Sequence, residues 1–247
     1  MIVEGAIAVK AAMDSKFRRV EKIYIDVDKH TSDVSFIIQQ AYHNRLPVER
    51  CSRSKISDMA IGKTHGGIIA EVSERKFQSI TTMIMKDSPF LALIEGVEDS
   101  FNLGYILRTL YAFGCDGVIL PSREWDFEDG TMVKSSAGAS EFIPIHLTDD
   151  LEATISVLKD NGIRIISAYR GENAVNIYQA AIPGERLMIC IGGPLRGLSQ
   201  TVLDASDQCA LPICVYIPYA NDFRNALNAA SAVSVMASEV YRRREKV

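Results

Sequence analysis

The sequence predicts an α/β protein in two parts: a small α/β domain, then a larger domain built on a mainly parallel sheet. Its 247 residues are enough for more than one modest core. A charged, mixed stretch ending in Ser-Pro interrupts the pattern before residue 90, and short apolar strands alternate with helical segments after it. We therefore expect domains at 1–76 and 90–247, joined by a linker at 77–89.

The first 76 residues show both helical and strand periodicity. Apolar residues at every third or fourth position predict helices at 3–13 and 32–43, with a short helix near Ile56. Short β-branched runs predict strands at 20–27, in LPVE and in GIIAEV. These elements suffice for a small α/β domain.

The strands of the second domain are apolar on both faces. They are FLALIEG, GVILP, EFIPIHL, GIRIISAY, RLMICIGG and ALPICVYIP. Strands of this kind are covered by helices on both sides, which is typical of a doubly wound parallel sheet. Ligands of such sheets bind beyond the carboxyl ends of the strands, so the candidate site loops are EGVEDSFNLG, IGGPLRG and IPYANDFRN.

Several classes of protein are disfavoured. The first twenty residues lack a basic leader followed by a long apolar core, so we expect a cytoplasmic protein. The segment NALNAASAVSVMASEVY is too polar for a membrane span. The five cysteines are scattered and form no C-x-x-C pair, and the four histidines show no ligand spacing with them, so we expect no metal.

Charge is unevenly distributed along the chain. The net charge is −4, but residues 1–76 carry +3 and the remainder −7. Nine basic residues of the first domain are candidates for a phosphate-binding face: Lys16, Arg18, Arg19, Lys22, Arg45, Arg50, Arg53, Lys55 and Lys63. Composition alone leaves an ordinary solvated surface equally open.

The segment ICIGGPLRGLSQ has a strand that runs into a glycine-rich turn and a helix. It departs from the dinucleotide pattern G-x-G-x-x-G at Pro194 and from the P-loop pattern after Gly197. A dinucleotide site is therefore not expected. Gly192 and Gly193 still allow a ligand to approach the backbone, because they have no side chain.

The segment DSFNLGYILRTL places Asn102 where it can cap a helix and Arg108 six residues later. Taken alone, a helix cap and an arginine that extends from an apolar helix into solvent explain both residues.

In order and spacing, IEGVEDSFNLGYILRTLYAFGCDGVIL, KSSAGASEFIPI, ICIGGPLRGLS and VYIPYANDFRNALNAASA resemble the motifs of the SpoU-type (TrmH-like) RNA ribose methyltransferases of the SPOUT class. GAIAVKAAM and THGGIIAEV resemble the start and end of the RNA-binding domain that many of these enzymes carry. The resemblance covers nearly the whole chain.

The resemblance implies a parallel-sheet domain with a deep trefoil knot, S-adenosylmethionine as cofactor, and a homodimer that completes each active site. The reaction would be methyl transfer to a ribose 2′-hydroxyl of structured RNA, either tRNA or rRNA. The cofactor-binding residues would be Gly192, Gly193, Ile217, Pro218 and Leu227, and the catalytic residues Arg108, Asn102 and Asn228.

Arg108 is a poor general base because the pKa of a guanidinium exceeds about 12. The resemblance assigns it a part in activating the 2′-hydroxyl, which it could do by clamping the neighbouring phosphate bidentately and lowering the pKa of the hydroxyl.

Three departures from the family pattern leave alternatives open. Pro194 replaces a glutamate, Ala226 replaces a serine before Leu227 and Asn228, and one extra residue separates Ile217 from Leu227. One alternative is a cofactor- and RNA-binding protein of the same fold without chemistry, and another is a nicotinamide-dependent oxidoreductase. The small residues around 226–232 suit either a dimer seam or internal packing.

Overall fold

A computed structural model describes residues 1–122, 128–182, 184–207 and 214–245. The chain divides into two compact units, of which the first combines Met1–Lys76 with Glu128–Phe142 and the second combines Phe77–Phe127 with Ile143–Val247. The stretch expected as a linker, 77–89, thus falls in the second unit. A segment from the middle of the chain, 128–142, falls in the first.

The helices and strands follow in chain order. They are β1 (Ile2–Glu4), α1 (Ala6–Asp14), β2 (Val20–Asp26), α2 (Ser32–His43), β3 (Val48–Cys51), α3 (Arg53–Met59), β4 (Ile68–Val72), α4 (Ile80–Met83), β5 (Phe90–Glu95), α5 (Ser100–Ala112), β6 (Gly117–Pro121), α6 (Asp129–Ser135), β7 (Ile145–Thr148), α7 (Leu151–Asp160), β8 (Arg164–Ala168), β9 (Val175–Asn176), β10 (Leu187–Gly192), α8 (Gln200–Asp207), β11 (Cys214–Tyr216) and α9 (Ala229–Arg244).

The first unit contains a four-stranded sheet with the order β1-β4-β2-β3. Strands β2 and β3 are parallel, and the other two pairs are antiparallel. The helix predicted at 3–13 begins later than expected, because Ile2–Glu4 pairs with β4 instead. Gly5 separates strand from helix with a φ of 89°, and its N–H donates to the Ile68 carbonyl at 2.9 Å.

Helix α6 belongs to the first unit because it contributes to its core. Val133 is completely buried in the same apolar cluster as Val3, Ile23 and Ile68. A short 3-10 helix at Ala139–Glu141 follows α6. This explains why the predicted strand EFIPIHL begins only at Ile145.

Buried ion pairs join the two stretches of the first unit. Arg18 contacts Glu141 at 3.0 Å and Asp129 at 2.6 Å, and Arg75 contacts Glu141 at 2.8 Å. Burial lowers the pKa of the Arg75 guanidinium, and the Glu141 carboxylate opposes that shift. Arg18 was a candidate for the phosphate-binding face, but its side chain is fully buried and cannot belong to a surface.

The second unit contains a seven-stranded sheet with the order β7-β6-β5-β10-β8-β11-β9. Every pairing in it is parallel, which confirms the predicted parallel-sheet α/β class. Strand β9 was not predicted, because it has only two residues. Residues 210–213, which begin the predicted strand ALPICVYIP, lie outside the described residues.

The centre of this sheet is mainly apolar. Strands β5 and β10 lie side by side and are buried along nearly their whole length. Helix α9 returns from the end of the chain to pack against α5 and β10. Among the described residues, no helix combines the length and apolarity that a membrane crossing requires.

Candidate active site

The carboxyl ends of β5 and β10 form the centre of the site. The last residues of these strands, Glu95 and Gly192, are direct partners in the sheet. The Gly193 N–H donates to the Glu95 carbonyl at 2.6 Å, and the Ser199 N–H donates to the buried Glu95 carboxylate at 2.8 Å. Glu95 therefore holds both ends of the glycine-rich loop.

Glycine is required in this loop by close backbone packing. A Cβ on Gly193 would lie 1.7 Å from the Gly96 carbonyl oxygen, and a Cβ on Gly192 would lie 2.2 Å from the Gly197 carbonyl carbon. The sequence suggested that these glycines free the backbone for a ligand. For Gly193 the structure shows a different use, because its amide is bonded to Glu95.

A cavity of about 360 Å³ lies beside the glycine-rich loop, and we call it the larger cavity. Three of the predicted cofactor-binding residues line it: Gly192, Ile217 and Leu227. Gly193 and Pro218 are not among the described residues that line it. Most of the remaining wall is apolar, with Ile191, Val215 and Ala226 among its residues.

A second cavity, of about 160 Å³, contains two of the predicted catalytic residues, and we call it the smaller cavity. Asn102 and Asn228 line it together, although 125 residues separate them in the sequence. Pro194 of the glycine-rich loop lines the same cavity. Asn228 directly follows Leu227, which lines the larger cavity, so consecutive residues line the two cavities.

The helix cap expected at Asn102 is provided by Asp99 instead. The Asp99 carboxylate accepts from the N–H groups of Phe101 at 2.9 Å and Asn102 at 3.0 Å. It also accepts from the side-chain amide of Asn102, which lies in the first turn of α5. An aspartate is as good a cap as an asparagine, so sequence preference alone could not decide between them.

Asn228 is itself a helix cap. Its Oδ1 accepts from the Ser231 N–H at 2.8 Å, at the start of α9. This bond uses the Oδ1 atom and leaves the Nδ2 group without a hydrogen-bond partner among the described residues.

Arg108 lies apart from both cavities. It is exposed, and within the described part of the chain it forms no hydrogen bond or ion pair and lines neither cavity. Six residues of helix place it about 120° around α5 from Asn102. Phe101 and Tyr105 share its exposed face.

Sequence reasoning missed two site residues in strand-end loops: Tyr219 after β11 and Arg170 after β8. The Tyr219 hydroxyl accepts from the Leu227 N–H at 3.0 Å. The Arg170 guanidinium lies over the Tyr219 ring, 4.3 Å from its centroid, and donates to the Phe223 carbonyl at 3.1 Å. Arg170 could have been found from its position in the strand-end loop after β8.

The described cysteines offer no reactive thiol at this site. Cys190 lies within β10, and burial raises the pKa of its thiol. Burial also raises the pKa of Cys115 to about 12. Among the described residues, no group of three or more His, Cys, Asp or Glu side chains is arranged to hold a metal ion.

The fold and the site define a parallel-sheet α/β domain with a ligand cavity at a glycine-rich strand end. A family model described as the SpoU rRNA Methylase family matches residues 89–238, and a model described as RNA 2′-O ribose methyltransferase substrate binding matches residues 2–78. The chain belongs to the SpoU family of RNA methyltransferases.

Similar proteins agree with this assignment. A relative from Staphylococcus haemolyticus, assigned to the TrmH family of tRNA/rRNA methyltransferases, is 32% identical over 252 residues, covering 100% of this chain and 97% of that protein. The AdoMet-bound rRNA methyltransferase from Sinorhizobium meliloti has a TM-score of 0.78 at 19% identity, over 98% of this chain and 86% of that one. The SpoU methyltransferase AviRb from Streptomyces viridochromogenes, in complex with the cofactor AdoMet, has a TM-score of 0.82 at 17% identity, over 100% of this chain and 91% of that one.

These findings confirm the predicted family. They also confirm S-adenosylmethionine (AdoMet) as the predicted cofactor, because solved members of the family hold it. They do not favour the nicotinamide-dependent alternative.

Proposed function

We propose that the protein transfers a methyl group from S-adenosylmethionine to a ribose 2′-hydroxyl of structured RNA, either tRNA or rRNA. The observation that carries the proposal is that two consecutive residues, Leu227 and Asn228, line the two cavities. A methyl donor in the larger cavity and a ribose in the smaller one would then be neighbours, and in-line displacement requires that arrangement.

The larger cavity fits the cofactor. Its volume of about 360 Å³ lies within the usual range for small-molecule sites. Ile217 and Leu227 offer apolar contacts for a purine, and Gly192 presents backbone without a side chain. We assign Gly193 and Pro218 a shaping role, because they lie next to lining residues without lining the cavity themselves.

When bound, S-adenosylmethionine supplies an electrophilic methyl group on a sulfonium. The chain must orient the ribose hydroxyl that accepts this methyl. The side-chain amide nitrogen of Asn102 is held by Asp99, which leaves its Oδ1 to accept. The Oδ1 of Asn228 is held by Ser231, which leaves its Nδ2 to donate. This acceptor and this donor match a hydroxyl group, which both donates and accepts hydrogen bonds.

Arg108 would act in the active site of a second copy of the chain. Its guanidinium is exposed and unpaired among the described residues, and two exposed aromatic residues, Phe101 and Tyr105, lie on the same face of α5. Monomeric proteins rarely expose such a surface without a use for it. We propose a homodimer that covers this face and brings Arg108 to the partner's substrate, where it would clamp a phosphate beside the reacting hydroxyl.

Other parts of the proposal rest on the family. The trefoil knot is proposed from the match to the SpoU family model. The contribution of residues 1–76 to RNA binding is supported by the substrate-binding model that matches residues 2–78. A catalytic domain at 90–247 and a cytoplasmic location complete it.

The test is to incubate the protein with total cellular RNA and methyl-labelled cofactor, and then to map the methylated nucleotides. We expect label at defined positions that resist alkaline cleavage, which identifies a 2′-O-methyl group. Label on a base would contradict the ribose assignment. Cofactor binding without any transfer would favour the non-catalytic alternative.

A further inference from the structure

The charge of the larger cavity calls for an anionic group on its ligand. Two arginines, Arg170 and Arg224, line the cavity, and none of the described residues that line it is acidic. S-adenosylmethionine carries a positive sulfonium and a positive α-ammonium group. Its α-carboxylate is its only negatively charged group, and two guanidinium groups attract that charge most strongly.

We propose that Arg170 binds the α-carboxylate of the cofactor. This inference rests on the proposed assignment of the larger cavity to S-adenosylmethionine. It adds a residue that the family motifs did not indicate, in the loop that follows β8.

Arg170 is already held in a fixed position. Its guanidinium carbon lies 4.3 Å from the centroid of the Tyr219 ring, and its Nη1 donates to the Phe223 carbonyl at 3.1 Å. Tyr219 is in turn tied to Leu227, another lining residue, by the bond from the Leu227 N–H to its hydroxyl. A guanidinium that is fixed before the ligand arrives loses less entropy on binding it.

One edge of the guanidinium remains available. Among the described residues, Nε and Nη2 of Arg170 have no hydrogen-bond partner, whereas Nη1 is used by Phe223. Two parallel N–H groups on one edge match the two oxygens of a carboxylate. Arg224 is exposed and makes no contact that would fix it within the described part of the chain, so it provides a matched comparison in the same cavity.

Two ligands separate a carboxylate contact from a general effect on the cavity. S-adenosylhomocysteine and 5′-methylthioadenosine share the adenosine and the thioether, and only the former has the amino-acid group. Their affinities are measured by calorimetry for the full-length protein and for Arg170→Ala, Arg170→Lys and Arg224→Ala.

We expect Arg170→Ala to weaken S-adenosylhomocysteine binding by about 10- to 100-fold and 5′-methylthioadenosine binding by less than about 3-fold. Arg170→Lys should recover only part of the loss, because lysine keeps the charge but not the planar fork. Arg224→Ala removes the guanidinium that is not held in place, so it should change the ratio of the two affinities far less than Arg170→Ala does.

Other outcomes would overturn the inference. Equal weakening of both ligands by Arg170→Ala would limit Arg170 to supporting the Tyr219 loop, and a selective loss in Arg224→Ala would assign the carboxylate to Arg224. If the wild-type protein bound the two ligands with equal affinity, no residue of the cavity would contribute to binding the carboxylate. Failure of the proposed reaction can be distinguished from failure of this inference. In that case RNA methylation would be absent, while the measured ligand affinities would still follow the expected pattern.

Discussion

The Arg18 guanidinium and the Glu141 carboxylate lie 3.0 Å apart, and neither side chain is exposed to solvent. Arg75 contacts the same carboxylate at 2.8 Å. Glu141 belongs to 128–142, so these contacts fasten that segment to the first 76 residues within one compact unit. Buried charges are tolerated only when they are paired, and here two arginines depend on one glutamate.

We expect Glu141→Gln to lower the free energy of unfolding by about 3–5 kcal/mol, because it leaves two buried guanidinium groups with only Asp129 nearby. Urea denaturation monitored by circular dichroism measures this. Asp33→Asn removes the exposed ion pair with Lys10 and serves as the control, for which we expect little change. If the two variants had similar free energies of unfolding, the buried Glu141 ion pairs would contribute no more to stability than an exposed pair does.

The glycine-rich loop should not tolerate a side chain at position 193. In Gly193→Ala the new Cβ would overlap the Gly96 carbonyl oxygen, so the ends of β5 and β10 would have to separate. We expect a loss of at least about 2 kcal/mol in the free energy of unfolding, together with weaker cofactor binding. Gly184→Ala is the control, because a Cβ there meets no atom within 4 Å. A Gly193→Ala protein with unchanged stability and cofactor affinity would contradict the close packing.

Pro194→Glu should change the interaction of the protein with RNA and leave its affinity for the cofactor unchanged. Pro194 lines the smaller cavity with Asn102 and Asn228, and the larger cavity lacks it among its described lining residues. Proline offers neither a carboxylate nor a backbone N–H, so a glutamate adds a polar group beside the proposed ribose site. We expect altered RNA affinity or turnover and an unchanged cofactor affinity. Leu195→Glu introduces the same side chain one position further along the loop, and its RNA and cofactor affinities are compared with those of Pro194→Glu. Loss of cofactor binding in Pro194→Glu would instead show that the loop depends on the shape of proline.

Arg108 gives the sharpest test of the catalytic assignment. We expect Arg108→Ala and Arg108→Lys to slow single-turnover methylation by about 100-fold or more, because a contact made mainly in the transition state is lost and lysine has no bidentate fork. Cofactor affinity and melting temperature, measured on the same variants, should stay near those of the wild type, since Arg108 is exposed and unpaired among the described residues. Near-wild-type methylation by Arg108→Lys would remove Arg108 from the catalytic residues.

The sequence identified much of the second unit. Strands apolar on both faces predicted the parallel sheet, and the motifs predicted Gly192, Ile217 and Leu227, which line one cavity, and Asn102 and Asn228, which line the other. The parallel sheet was predictable because a strand shows its burial in its own composition. The site residues could be named in advance because a motif carries its spacing with it, and the roles assigned to them stay predictions.

Tertiary structure decided what depends on residues distant in the chain. Arginine is usually a surface residue, and Arg18 is buried only because it pairs with Asp129 and Glu141. Val133 and the rest of 128–142 belong to the first unit because Val133 packs in its apolar core. The periodicity of the local sequence does not show which core a segment joins. Arg170 lines the larger cavity because β8 and β11 are neighbours in the sheet, which places the loop after β8 against Tyr219. The sequence by itself determined which segments are buried and which motifs are present. The tertiary structure determined which charges and rings are in contact. The reason is that the energy of a contact depends on distance in space and not on separation along the chain.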